Sequence, residues 1–279
     1  PNTQYPKPKN PQKEGWFFMQ THPIQFVGTG PGDPELITVK GKNALEAADL
    51  LIYAGSLVPE AALRWAGRAR KENSAGMDLE AITRSMIDAH SRGEKVVRLH
   101  SGDPSLYGAI AEQMKALDRK DIAYEVIPGV TAAFAAAAAL KIEYTLPETC
   151  QTLILTRMEG RTPVPEREQL EALAAHQTSL AIYLSAGLAD KVEPVLVANY
   201  GPDAPVAIVC QASQPEERIV QTTAQQLAEA VQAENINRQA IILVGQAVAR
   251  RSCRFPDSRL YDAHFTHGYR QGSKAEERE

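Results

Sequence analysis

The sequence predicts an α/β protein made of two α/β domains, and three observations carry that prediction. Its 279 residues are 44% hydrophobic and 23% charged, enough apolar material for two cores of middling size and too much for a disordered chain. From residue 24 onward short apolar runs alternate with stretches of helical spacing, the rhythm of βα units. The alternation pauses at residues 141–150 and resumes, which divides the body into domains at 24–142 and 143–249. Residues 1–23 and 250–279 lack both periods and read as a flexible N-terminal tail and a C-terminal extension.

The elements follow in order. Residues 24–28 (IQFVG) form an apolar run that ends in glycine, and residues 36–48 then place Leu36, Val39, Leu45 and Ala48 at helical spacing. Residues 50–54 (LLIYA), 95–99 (KVVRL) and 122–127 (IAYEVI) repeat the strand signal. Helical stretches separate them at 59–66, 78–92 and 106–117. After the pause, strands are expected at 151–156, 180–184, 206–210 and 240–245, with helices at 166–175, 188–198 and 223–233. The two halves show no sequence repeat. Ligands of such sheets sit at strand ends, so the loops there are the places to look for function.

Charge and cysteine usage exclude several classes. The formal net charge is −4, and each tail carries +2, which leaves −8 on residues 24–249. Such a body has no basic field to hold a nucleic-acid backbone. Cys150, Cys210 and Cys253 are three, far apart and without a C-x-x-C, so neither a disulfide framework nor a zinc site is written here and a reducing cytoplasm is expected. The longest apolar run, residues 131–140, is half of the roughly 20 residues that span a bilayer. The N-terminal tail, with four prolines and three lysines in its first fifteen residues, matches neither a signal peptide nor a transit peptide. His264 and His267, at a spacing of three, read as solvated side chains because no further ligand accompanies them, and no metal site is expected.

Four loops at strand ends carry the chemistry. Gly28-Thr29-Gly30-Pro31-Gly32-Asp33-Pro34 invites a dinucleotide reading, but Asp33 stands where the fingerprint needs glycine. The strand at 50–54 runs into Gly55, Ser56 and Leu57 instead of an acid for a ribose, so the fingerprint fails twice. An acid here repels a pyrophosphate and suits a cationic or neutral ligand. His100-Ser101-Gly102-Asp103-Pro104 is a second G-D-P loop; in each, Asp before Pro also reads as an ordinary helix cap. Pro128-Gly129-Val130-Thr131 precedes an alanine-rich stretch, with Thr131 as its N-cap. That alanine face suits either a close ligand or, the plainer reading, close helix-to-sheet packing. Finally, residues 156–166 (TRMEGRTPVPE) hold two arginines and a glutamate in a Gly/Pro frame, able to grip carboxylates or simply to pair in solvent.

Together these segments, VGTGPGDPELITVKG (27–41), ADLLIYAGSLV (48–58), SGDPSLYG (101–108), IPGVTAAFAAAA (127–138) and TRMEGRTPVPE (156–166), resemble the tetrapyrrole methylase family across residues 24–249. The last of them, with YAGSLV, is similar to the branch that methylates C11 of precorrin-4 or cobalt-precorrin-4 in cobalamin synthesis. The resemblance implies two α/β domains with a cofactor cleft between them, a homodimer, and S-adenosyl-L-methionine as methyl donor, leaving S-adenosyl-L-homocysteine. It implies cofactor contacts at Pro31, Ser101, Gly102, Asp103, Leu106, Thr131 and Ala132, and in the second domain at Tyr183, Leu184, Ala212, Gln239 and Ala240. The donor carries a sulfonium and an ammonium against one carboxylate, which suits two acidic loops better than a phosphate does.

For the anionic macrocycle, contacts are expected at Gly30, Asp33, Ser56, Arg157, Glu159 and Arg161, with Lys40 and Arg98 ranked behind the two loop arginines. Relatives acting on the first ring carry an Asp after the second strand where this chain has Ala54-Gly55-Ser56, so no general base is assigned. A polyanionic substrate must find a local basic patch on an acidic body. The competing readings are methylation of another tetrapyrrole carbon, of ribosomal RNA or of a modified histidine, a carrier without turnover, and an oxidoreductase using the glycine loop.

Overall fold

A computed structural model describes residues 22–58, 60–249 and 257–273. Most of the expected N-terminal tail, and the part of the C-terminal extension that holds Cys253, fall outside the described residues.

The first sheet contains β1 (Ile24–Gly28), β2 (Leu50–Tyr53), β3 (Arg70–Asn73), β4 (Val96–His100) and β5 (Tyr124–Ile127), all parallel, in the order β3-β2-β4-β1-β5. Both faces are covered, as near-continuous apolar strands require. Val27, Leu51 and Val97 pack on the side of α1 (Val39–Ala47), while Phe26, Leu50, Ile52 and Val96 pack with α2 (Leu79–Ser91) and α3 (Ile110–Asp118). The helix expected from residue 36 starts at Val39 because the Thr38 hydroxyl caps it, accepting from Gly41 N at 3.1 Å. The helix expected from residue 106 starts at Ile110, after Tyr107 and Ala109 take left-handed backbone angles. The stretch expected at 59–66 winds as a 3-10 turn, Glu60–Trp65.

The second sheet contains β6 (Leu153–Arg157), β7 (Ser179–Tyr183), β8 (Pro205–Cys210), β9 (Arg218–Thr223) and β10 (Ala240–Val244), in the order β6-β7-β10-β8-β9. It is mixed: β6 and β7 are parallel, β10 runs antiparallel to both β7 and β8, and β9 returns antiparallel beside β8. One face carries α5 (Leu170–Ala174), α6 (Ala189–Tyr200) and α7 (Leu227–Ala233) over Leu180, Ile182, Ile208, Ile242 and Val244.

The other face is covered from across the expected boundary. Helix α4 (Ala132–Leu140) lays Ala133, Ala136, Ala137 and Leu140 against Ala181, Ala207, Val209, Ile241 and Leu243. It lies within residues 24–142 in the chain but packs on the second sheet, because small side chains on both partners let helix and sheet approach closely. Cys150 and Cys210 are free thiols. Among the described residues no helix is long and apolar enough to cross a membrane.

Candidate functional site

Parallel strands bring the ends of β1, β4 and β5 to one edge of the first sheet, and the loops that follow meet backbone to backbone. Gly30 and Gly102 form an isolated bridge, Gly102 N donating to Gly30 O at 2.8 Å and Gly30 N to Gly102 O at 3.2 Å. A Cβ on Gly129 would lie 2.2 Å from Gly102 O and 2.9 Å from Gly28 Cα, so the contact admits glycine alone. Asp103 ties the loops together: Oδ1 accepts from Ser105 N at 2.8 Å and Oδ2 from Gly129 N at 2.9 Å.

In the second sheet the antiparallel setting of β10 brings its start beside the ends of β7 and β8. Tyr183-Leu184, Gln211-Ala212 and Gln239-Ala240 therefore converge although they belong to three strands. The two edges face each other across a cavity of about 510 Å³, within the size range of small-molecule sites. Hydrogen bonds join the rims: Asp33 N donates to Ser213 Oγ at 3.0 Å and Gln214 Nε2 to Pro31 O at 3.4 Å.

Thr131 holds the N-cap position of α4, but its hydroxyl does not cap the helix as expected. It lies 2.6 Å from the Tyr183 hydroxyl, which itself accepts from Ala133 N at 2.9 Å. A side chain of the second sheet thus caps the helix, and burial pushes its phenol pKa up. Tyr183→Phe removes both bonds and leaves a part-buried N–H unmatched; a loss of about 1–3 kcal/mol in urea unfolding is expected, and an unchanged midpoint would show that the cap carries no weight.

The lining includes all twelve positions expected to touch a cofactor: Pro31, Ser101, Gly102, Asp103, Leu106, Thr131, Ala132, Tyr183, Leu184, Ala212, Gln239 and Ala240. Ser56 and Arg98 line it too. Arg98 is buried, with Nε on Gln113 Oε1 at 3.2 Å and Nη1 on Ile52 O at 3.3 Å; burial lowers its pKa to about 10, so it stays charged at neutral pH. Five expected macrocycle contacts do not line the cavity. Gly30 is spent on the bridge. Asp33 Oδ1 caps a short 3-10 turn through Glu35 N, so only one of the two G-D-P acids reaches the cavity.

Arg157, expected as a carboxylate fork, donates instead to the carbonyls of Met158, Thr162 and Pro163. A loop with prolines and no ladder partner needs donors for its carbonyls, and this side chain supplies them. Glu159 likewise accepts from Val164 N within the loop, and Arg161 is exposed. Lys40 lies outside the lining and pairs with Glu125 at 2.8 Å on the edge strand β5.

Sequence reasoning missed His100, Tyr107, Gln211, Gln214 and Arg238, all in the lining. His100 is buried beside Arg98 with Nε2 unpartnered, and burial, reinforced by that arginine, lowers its pKa to about 3, so it is neutral. A charged and an aromatic base inside the apolar run VVRLH were the available signal. Tyr107, Leu184, Gln211 and Gln239 have φ of 57°, 54°, 47° and 52°, left-handed angles without glycine, and such strain gathers at functional sites. Nothing local in the sequence announces them. In the C-terminal segment, His264 Nδ1 lies 2.9 Å from Ser273 O and His267 Nδ1 accepts from Tyr269 N, and among the described residues no cluster of three metal-binding side chains occurs.

Residues 23–228 match the family described as Tetrapyrrole (Corrin/Porphyrin) Methylases. The chain is 50% identical over 253 residues to the cobalt-precorrin-4 C(11)-methyltransferase of Methanocaldococcus jannaschii, covering 90% of this chain and 97% of that protein. It is 47% identical over 249 residues to the precorrin-4 C(11)-methyltransferase of Pseudomonas aeruginosa, covering 89% and 99%. Among solved structures, a cobalt precorrin-4 methyltransferase of cobalamin biosynthesis superposes with a TM-score of 0.77 at 45% identity, over 81% of this chain and 95% of that one.

Proposed function

The chain belongs to the tetrapyrrole (corrin/porphyrin) methylases, and from that premise we propose that it transfers a methyl group from S-adenosyl-L-methionine to C11 of precorrin-4 or cobalt-precorrin-4. The observation that supports this reading most directly is the convergence of twelve residues, from both domains and far apart in the chain, on one cavity between the sheets.

The cavity suits the donor chemically. Its walls alternate apolar surface (Pro31, Leu106, Ala132, Ala212) with peptide groups, as an adenosyl group with a polar amino-acid end requires. Among the described residues Asp103 is the one carboxylate in the lining. When bound, S-adenosylmethionine supplies an already electrophilic methyl group on a sulfonium. What remains for the protein is alignment and the exclusion of water. The glycine-packed loops and the Tyr183 cap hold the two walls at a set separation. The Asp103 oxygens accept from the amides of Ser105 and Gly129, which makes the acid a fixed element of the wall.

Of the expected macrocycle contacts, Ser56 is the one that lines the cavity, and the reading keeps it as a substrate contact. The reading includes a homodimer in a reducing cytoplasm. The acidic body argues against a nucleic-acid substrate.

The test is incubation with methyl-labelled S-adenosylmethionine and, in parallel, precorrin-4 and cobalt-precorrin-4, with the label located by NMR. Label at C11 in either mixture is the expected result and identifies the branch. Label at another carbon would redirect the reading within the family.

A further inference from the structure

We propose that Arg238 is a carboxylate receptor on the rim of the cavity and takes an acetate or propionate group of the macrocycle, an inference that rests on the methyl-transfer reading above. The body of the chain carries −8, yet the charged side chains lining the cavity are Arg98, Arg238 and Asp103. His100 is neutral there, so two arginines against one aspartate leave the lining locally positive inside an acidic protein. Arg98 is buried and partly spent on Gln113 and Ile52 O. Arg238 is exposed, and among the described residues its guanidinium has no partner.

Its backbone is also held in place. The next residue, Gln239, has φ of 52°, and its carbonyl accepts from Gln211 N at 2.8 Å, itself at φ 47°. A strained turn tied to the neighbouring strand end fixes the backbone that carries the arginine, so on binding only its side chain has to be ordered, and its planar fork suits a charge-assisted contact with a carboxylate. Two carboxylates could reach it, the donor's and the macrocycle's. The donor carries two positive groups against one negative and is a net cation that Arg238 repels; the macrocycle is a polyanion that it attracts.

The experiment measures methyl-label transfer to precorrin-4 and cobalt-precorrin-4, and S-adenosylhomocysteine binding by calorimetry, for wild type, Arg238→Ala and Arg238→Lys. For Arg238→Ala the KM for the macrocycle is expected to rise about tenfold or more, with kcat little changed and S-adenosylhomocysteine affinity intact, and Arg238→Lys is expected to recover part of the loss. Because the same homocysteine product must still bind, that affinity also reports that the variants are folded. An unchanged KM in Arg238→Ala overturns the proposal. So does a loss of S-adenosylhomocysteine affinity in step with KM, which would give the arginine to the donor. A wild type that labels neither macrocycle would overturn the methyl-transfer reading first, and this inference with it.

Discussion

Gly129→Ala is expected to abolish tight binding of S-adenosylhomocysteine and to destabilise the fold by about 1–3 kcal/mol or more. The added methyl would stand 2.2 Å from Gly102 O and 2.9 Å from Gly28 Cα, and all its neighbours are backbone. No side chain can rotate away, so a loop must move. The three loops that meet at this point carry Pro31, Ser101 to Asp103, and Thr131 with Ala132, all of which line the cavity, and the shift therefore passes directly to the ligand. Gly67→Ala is the control, because a Cβ there meets nothing within 4 Å. Calorimetric titration with S-adenosylhomocysteine and urea unfolding of both variants decide the matter; equal behaviour of Gly129→Ala and wild type would show that the loops do not pack as described.

The second large effect concerns acid. Burial, with a smaller contribution from Arg98, lowers the His100 pKa to about 3 from the ordinary imidazole value of 6.5. Between these values the unfolded chain holds a proton that the native state excludes, so stability contributed by this group falls as pH drops below 6.5 and levels off near 3. The slope is about 1.4 kcal/mol per pH unit. His100→Gln removes the titration. Urea midpoints at pH 7, 5.5 and 4.5 should show wild type losing stability faster than the variant, the two curves approaching each other on acidification. Parallel curves would mean that the imidazole takes up its proton in the folded state without cost.

The strands that sequence reading located share a physical cause. Six of the eight, β1, β2, β4, β7, β8 and β10, are central strands whose continuous burial writes itself as an apolar run, and the other two, the edge strands β5 (YEVI) and β6 (LILTR), are half-buried and still carry an apolar run. The strands it missed, β3 (RKEN) and β9 (RIVQTT), are edge strands of largely exposed residues with no such run to read. The glycine loops were legible because a close backbone approach leaves glycine as its mark. The left-handed turns at Tyr107, Leu184, Gln211 and Gln239 were not, since residues of ordinary type hold them there only through their surroundings.

By itself the sequence determined the order of the apolar strands and the helices between them, the strand-end loops and the family resemblance, because periodicity and glycine placement report local burial and local backbone freedom. Only the tertiary structure decided that β10 runs antiparallel and so delivers Gln239 to the cavity, that α4 packs on the second sheet, that Arg157 serves its own loop, and that Arg238 is left free. Each of these depends on which distant group satisfies a polar atom or covers an apolar face. That is settled by three-dimensional proximity, which the spacing of residues along a chain does not encode.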